Sequence, residues 1–185
     1  NLGAYGDGGM VTCRSDEYIE EIKMLRVHGA KTKYYHTKIG INGRLDSIQA
    51  AVLIVKLKYL DKWCDMRKER AAFYSKLLEG LPLTVPTIGV HNTHIFHQYV
   101  IRVKNRDKLL NYLNEHDIGC GLYYPMPMHL QESVKCFGYK DGDLPETERA
   151  AKETIALPMF PELREDEQRY VVDTIKNFYA KNVTV

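Results

Sequence analysis

The chain has 185 residues, 44% hydrophobic and 27% charged, with 26 Lys and Arg against 24 Asp and Glu for a formal charge of +2. That balance fits an ordinary soluble globular protein long enough to bury a good core, as one domain or a domain and a half, and gives no sign of a nucleic-acid partner. The longest apolar run, Ala50 to Val55, falls far short of the roughly 20 residues that cross a bilayer, and no basic-then-apolar leader is visible, so a cytoplasmic protein is expected. Cys13, Cys64, Cys120 and Cys136 are scattered without a C-x-x-C pair, which reads as reduced, structural thiols.

The chain opens on a glycine run, "NLGAYGDGG", and Met10, Val11 and Thr12 read as a short strand leaving it. Ser15 is placed to cap a helix whose Tyr18, Ile22 and Leu25 share a face, and Gly29 ends that helix. His28, beside it, reads as a partner for the helix dipole rather than a catalyst. A loop rich in Lys, Tyr and His follows, "AKTKYYHTKIG". From Leu45 the positions Leu45, Ile48, Val52, Val55 and Tyr59 step by three and four, and Trp63, Met66, Phe73 and Leu77 continue the seam. No Pro or Gly interrupts Leu45 to Leu78, which predicts a helix of about 50 Å at 1.5 Å per residue, long enough to link two domains or to bend between them.

Beyond Gly80 the pattern changes. The two prolines of "LPLTVPTIGV" exclude helix and leave a linker or an edge strand. "FHQYVIRV" alternates like a strand, Arg106 to His116 reads as an amphipathic helix, and "IGCGLYY" as a second strand. After the Pro-broken "PMPMHLQ", helices are predicted over Glu146 to Ile155 and Glu165 to Tyr179, flanking the turn "LPMFPEL". The sum is a small α/β domain of two or three strands with helices on one side. Residues 1–45 are too few to enclose a core by themselves, so they read as the tail of a larger domain. Three segments are expected: 1–45, the long helix at 46–80, and the small domain at 81–185.

Two chemical motifs fail on spacing. Gly3, Gly6, Gly8 and Gly9 match neither the dinucleotide nor the P-loop pattern and read as a tight turn when taken alone. His91, His94 and His97 recur by three, but they lead into a strand that sends positions 94 and 97 to opposite faces, with no carboxylate or cysteine to complete a shell. No metal is expected. Asp46 and Gln49, in the first turn of the long helix, are accounted for by capping and packing.

Taken together, "NLGAYGDGG", "MLRVHGA" at 24–30, "IGINGRLDSIQAAVL" at 39–53, "YYPMPMHLQ" at 123–131 and "LPMFPEL" at 157–163 closely resemble, in order and spacing, the DegT/DnrJ/EryC1/StrS family of pyridoxal-phosphate-dependent sugar aminotransferases. The resemblance runs from residue 1 to about 179. It implies fold type I of the pyridoxal-phosphate-dependent transferases, with the end of the large cofactor domain followed by the small α/β domain. It also implies transfer of an amino group, from glutamate, to a keto sugar carried on a nucleotide diphosphate, in active sites shared across a homodimer. A sugar dehydratase of the same family that uses the pyridoxal or pyridoxamine form, and a non-catalytic relative that keeps the fold and binds ligand, are the alternatives.

The resemblance places the Schiff-base lysine immediately before Asn1, which makes Asn1 a cofactor-site neighbour. It assigns Asn42, in "GINGRLD", to the cofactor phosphate of the partner subunit; an amide can donate there without the desolvation cost of a full charge. The plain reading of Asn42 is a turn residue between Gly40 and Gly43. Arg44 either faces the anionic nucleotide sugar or cofactor phosphate, or pairs with Asp46 at the helix start. Tyr34, Tyr35, His36 and Lys38 lie in a loop that approaches the neighbouring active site in the family, Tyr35 and His36 being the substrate candidates; a solvated loop is the other reading. Tyr123, Tyr124 and His129 lie in the sugar-facing segment. Many relatives carry histidine where Tyr123 stands, so Tyr123 is expected to contact substrate without acting as acid or base. His129 is open between substrate contact and a buried, hydrogen-bonded imidazole.

Overall fold

The computed structural model of the chain describes residues 1–182. They divide into two compact units, residues 1–61 and 62–182, a division inside the stretch predicted as one long helix.

In the first unit, helix α1 spans Asp16–Leu25, and the Ser15 hydroxyl accepts from the Tyr18 amide at 3.4 Å, the expected cap. Asp16 and Glu17 place negative charge at its N-terminus. The predicted strand at Met10 to Thr12 does not form: the segment is irregular and exposed, and among the described residues no segment pairs with it. The predicted loop after Gly29 instead holds a small antiparallel hairpin, β1 (Ala30–Thr32) with β2 (Tyr35–His36), turned at Lys33 and Tyr34 with Tyr34 at φ +73°.

Glycine is required where this hairpin closes. Gly29 sits at φ +73°, and a Cβ there would lie 1.8 Å from the Lys38 carbonyl oxygen; a Cβ on Gly40 would lie 2.3 Å from the Gly29 nitrogen. Segment 41–43 then returns alongside the end of α1, with Ile41 donating to Leu25 and Gly43 to Arg26, both at 2.9 Å. Helix α2, Ser47–Leu57, follows with Asp46 at its N-cap. The opening glycine run is tied to it: the Tyr5 amide donates to Gln49 Oε1 at 2.8 Å and Lys56 Nζ to the Gly3 carbonyl at 2.6 Å.

The continuous helix expected from Leu45 to Leu78 is interrupted. Helical assignment stops at Leu57 and resumes as α3 at Leu60–Leu77, with the Tyr59 amide donating three residues back to Lys56 at 3.0 Å. Neither Pro nor Gly stands at the break, so side-chain propensity gave no warning of it.

The second unit is a mixed α/β layer. Strands β3 (Tyr99–Arg102) and β4 (Thr154–Leu157) pair antiparallel with Tyr99 opposite Leu157 and Ile101 opposite Ile155. Single bridges extend the pair on both sides, Thr84 to Arg102 and Gly121 to Ala156. "LPLTVPTIGV" therefore contributes one edge bridge, and "IGCGLYY", predicted as a strand, likewise supplies only a bridge. Helix α4 covers Arg106–Asn114, α5 Pro145–Glu153 and α6 Glu165–Asn182, with two 3₁₀ segments at Met128–Leu130 and Glu132–Phe137. Thr154 and Ile155, predicted as the end of a helix, belong to β4 instead.

Tyr99, Ile101, Ile155 and Leu157 share one sheet face and form a single core with Ala71 and Tyr74 of α3, Leu109 and Leu113 of α4, and Val172 and Ile175 of α6. Polar ties reinforce it: Ser75 and Tyr99 share a hydroxyl contact of 2.8 Å, and fully buried Gln168 of α6 donates to the Arg70 carbonyl of α3 at 2.8 Å. Among the described residues, no helix is long and apolar enough to cross a membrane.

Candidate functional site

In the first unit the backbone brings three of the marked residues to one place. The His28 amide donates to the Ile41 carbonyl at 2.9 Å, and the His28 carbonyl accepts from His36 Nδ1 at 2.9 Å, so segment 41–44 and the hairpin meet at His28. His28 lies beyond α1 at φ +63° and acts through its backbone here. Asn42 bridges Val27 through its main chain, and its Oδ1 accepts from Arg44 Nε at 3.0 Å. Among the described residues no ion pair joins Arg44 to Asp46, so Arg44's contact is with Asn42 rather than with the helix start. This contact fixes the amide orientation, leaving the Nδ2 hydrogens beside a guanidinium, a donor set suited to an anion.

Tyr35 is 73% exposed on the hairpin, and Tyr34 is crossed by Lys33 Nζ at 5.0 Å from its ring centre. Lys38 is engaged in an ion pair with Glu21. Asn1 is exposed at the head of the glycine run.

In the second unit the marked residues part company. Tyr123 and Tyr124 stand together, ring centres 6.0 Å apart and edge to face, both with substantial exposure. The Tyr123 ring lies over Gly121, where a Cβ would come within 2.5 Å of it. It borders a concavity of about 380 Å³ whose other walls include His97, Gln98, Cys120 and Met159. Burial pushes the Cys120 thiol up to about 11, so it stays protonated and unreactive at neutral pH. A larger groove of about 770 Å³ lies elsewhere in this unit, but Arg102 and Glu153 on its wall are paired at 2.9 Å and it contains none of the marked residues.

His129 is only 7% exposed. Its Nε2 donates to Glu148 Oε1 at 3.0 Å, and the Tyr139 ring stands edge-on at 6.1 Å. Glu148 also accepts from the Gly142 amide at 2.9 Å and the Leu144 amide at 3.3 Å, so one carboxylate holds the 3₁₀ turn and the approach to α5. Burial acts to raise the Glu148 carboxyl, but the His129 and backbone hydrogen bonds outweigh it and hold the group below its ordinary value of 4.5. A carboxyl lowered on folding stabilises above its unfolded value and loses that contribution as pH falls through the folded one. Melting temperatures of Glu148→Gln and parent, measured over about pH 3 to 6, are expected to diverge least at the acid end, the variant having the shallower acid limb. Parallel acid limbs would remove Glu148 from the acid response.

His94 Nδ1 accepts from the Phe96 amide at 2.8 Å, closing a local turn ahead of β3. Among the described residues no cluster of three metal-ligating side chains is present.

Sequence reading missed Arg67. Its Nη1 donates to the carbonyls of Phe96, His97 and Met159 at 3.3, 3.3 and 3.1 Å, binding together two segments that wall the Tyr123 concavity. A signal was available: Arg67, Ala71, Tyr74 and Leu78 step by four, three and four, which puts a cation on the buried face of α3.

Comparisons with known proteins bear on the whole chain. The sequence model of the DegT/DnrJ/EryC1/StrS aminotransferase family matches residues 1–176. A pleiotropic regulatory protein of Geobacillus stearothermophilus is 50% identical over 97% of this chain and 49% of its own length. The dTDP-3-amino-3,4,6-trideoxy-alpha-D-glucose transaminase of Streptomyces venezuelae is 35% identical over 96% of this chain and 47% of its own. Among solved structures, S. venezuelae DesV in complex with a ketimine intermediate superposes with a TM-score of 0.89 at 34% identity, covering 95% of this chain and 48% of that one. The chain thus spans about half the length of the relatives it matches.

Proposed function

Because the chain belongs to the DegT/DnrJ/EryC1/StrS aminotransferase family, with the mixed α/β fold of type I pyridoxal-phosphate-dependent transferases, we propose that it forms part of a nucleotide-sugar aminotransferase. The enzyme takes its amino group from L-glutamate and delivers it to a keto sugar on a nucleotide diphosphate. It works as a homodimer, with the cofactor-bearing lysine preceding Asn1. The agreement along residues 1–176 carries this reading.

Pyridoxal phosphate, when bound, supplies the electron sink that lets an amino group pass between amino acid and sugar. The donor set fits its anionic end: Asn42, oriented by Arg44, offers amide hydrogens to the phosphate of the partner's site, and the Arg44 guanidinium adds positive charge beside it. Asn1 lies next to the cofactor lysine. Tyr35 and His36 on the hairpin, with Arg44, face the nucleotide diphosphate. Tyr123 donates its phenol hydrogen to a sugar hydroxyl or phosphate oxygen, and Tyr124 stands edge-on beside it. Through that hydrogen bond Tyr123 orients the substrate. His129 contributes by holding the loop that carries these tyrosines.

The test uses the full-length protein loaded with pyridoxal phosphate. Glutamate alone is expected to convert the cofactor's visible absorption to that of the aminated form, and a nucleotide-linked keto sugar to restore it with formation of an amino sugar, read by mass spectrometry. A cofactor band indifferent to amino donors would overturn the reading and leave a ligand-binding relative. Tyr123→Phe is expected to raise the sugar KM about 3- to 10-fold, the worth of one neutral hydrogen bond. Unaltered kinetics would take Tyr123 out of the site.

A further inference from the structure

The concavity beside Tyr123 has walls from sequence-distant segments: His97 and Gln98 ahead of β3, Cys120 and Gly121 at the β4 bridge, and Pro158 and Met159 beyond β4. Backbone pairing fixes only some of them. Gly121 exchanges both hydrogen bonds with Ala156, at 3.0 and 2.8 Å, which seats the glycine under the Tyr123 ring. Phe96, His97, Pro158 and Met159 lie outside the ladder, and helix α3 reaches their backbone through two side chains. Tyr74 Oη donates to the Pro158 carbonyl at 3.2 Å, and two turns earlier Arg67 Nη1 reaches the carbonyls of Phe96, His97 and Met159. Arg67 is not itself a wall of the concavity. Its Nε is buried with no hydrogen-bond partner, so the guanidinium is committed to the three carbonyls at the cost of its own solvation.

We propose that Arg67 is a positioning residue for sugar-substrate binding: one guanidinium nitrogen gathers the Phe96, His97 and Met159 carbonyls and so sets the spacing of the walls against which Tyr123 presents its hydroxyl. This rests on the aminotransferase reading and adds to it a residue that touches neither substrate nor cofactor. A planar, permanently charged guanidinium suits the task, because its plane fixes the directions of the Nη1 hydrogens, which an ammonium on a flexible stem does not. Misplacing a substrate contact by about 1 Å is enough to weaken catalysis substantially, so loosening the gather acts on substrate binding even with Tyr123 intact.

Arg67→Met and Arg67→Lys in the full-length, cofactor-loaded protein test this. In both, glutamate is expected to convert the cofactor at the parental rate within about twofold, while the keto-sugar KM rises roughly tenfold in the Met variant and less in the Lys variant. Tyr123→Phe is expected to add little further loss in the Arg67→Met background, because the two residues act on one contact. Where Arg67→Met does not fold, the Lys variant carries the same measurement. An unchanged sugar KM, a matched fall in both half-reactions, or full additivity with Tyr123→Phe would overturn the proposal. Failure of the parent protein to react with glutamate would instead sink the aminotransferase reading, so the two failures are distinguishable.

Discussion

Asn42→Ala in the full-length protein is expected to raise the dissociation constant for pyridoxal phosphate roughly 10- to 150-fold, the range of a hydrogen bond to a charged group worth about 1.5 to 3 kcal/mol. Its effect on folding should be small. Asn42 is exposed, its bridge to Val27 runs through the main chain and survives the substitution, and the lost side-chain contact leaves Arg44 with solvent. Surface changes of this kind stay within about 0.5 kcal/mol of neutral. Equilibrium dialysis of the cofactor together with the apoprotein melting temperature separates the two effects. Equal cofactor affinity for variant and parent rules out the phosphate role, and a large drop in melting temperature assigns Asn42 to the turn instead.

Ile155→Ala should cost about 2 to 5 kcal/mol of stability, the range for emptying a buried aliphatic position whose surroundings relax only in part. Ile155 is fully buried, lies opposite Ile101 in the central ladder, and faces the helices that complete the core. Equilibrium denaturation of the full-length protein, followed in the transition that reports the second unit, provides the measurement. A loss below about 1 kcal/mol would show that the two-strand ladder is not where this unit's stability resides.

Both positions bear on what the sequence could disclose. Ser15 capping α1, and the helices at Arg106 and Glu165, were legible because caps and 3.6-residue periodicity are written in neighbouring side chains. β4 was not legible: "TIAL" is four residues long, follows a helix without a break, and is almost wholly buried, so it shows no alternation. Its identity as a strand comes from β3, fifty residues away. The same non-local dependence undid Met10 to Thr12, which looks like a strand but pairs with no segment among the described residues, and reduced "IGCGLYY" to a single bridge. The break at Lys58 and Tyr59 has no Pro or Gly to announce it.

For the candidate site, the motif at 39–53 and the tyrosine pair could be marked from sequence, while the burial of His129 against Glu148 shows only in the fold. Arg67 escaped because its acceptors are backbone carbonyls, which every residue carries and no motif records.

Helix α2 carries one charge in eleven residues and buries none of them, with Ile48, Ile54, Val55 and Leu57 each more than half exposed. Left uncovered in water, so greasy a rod invites clumping, and a preparation of residues 1–185 alone should adhere to resins and fall out as a precipitate. Added detergent should keep it dispersed.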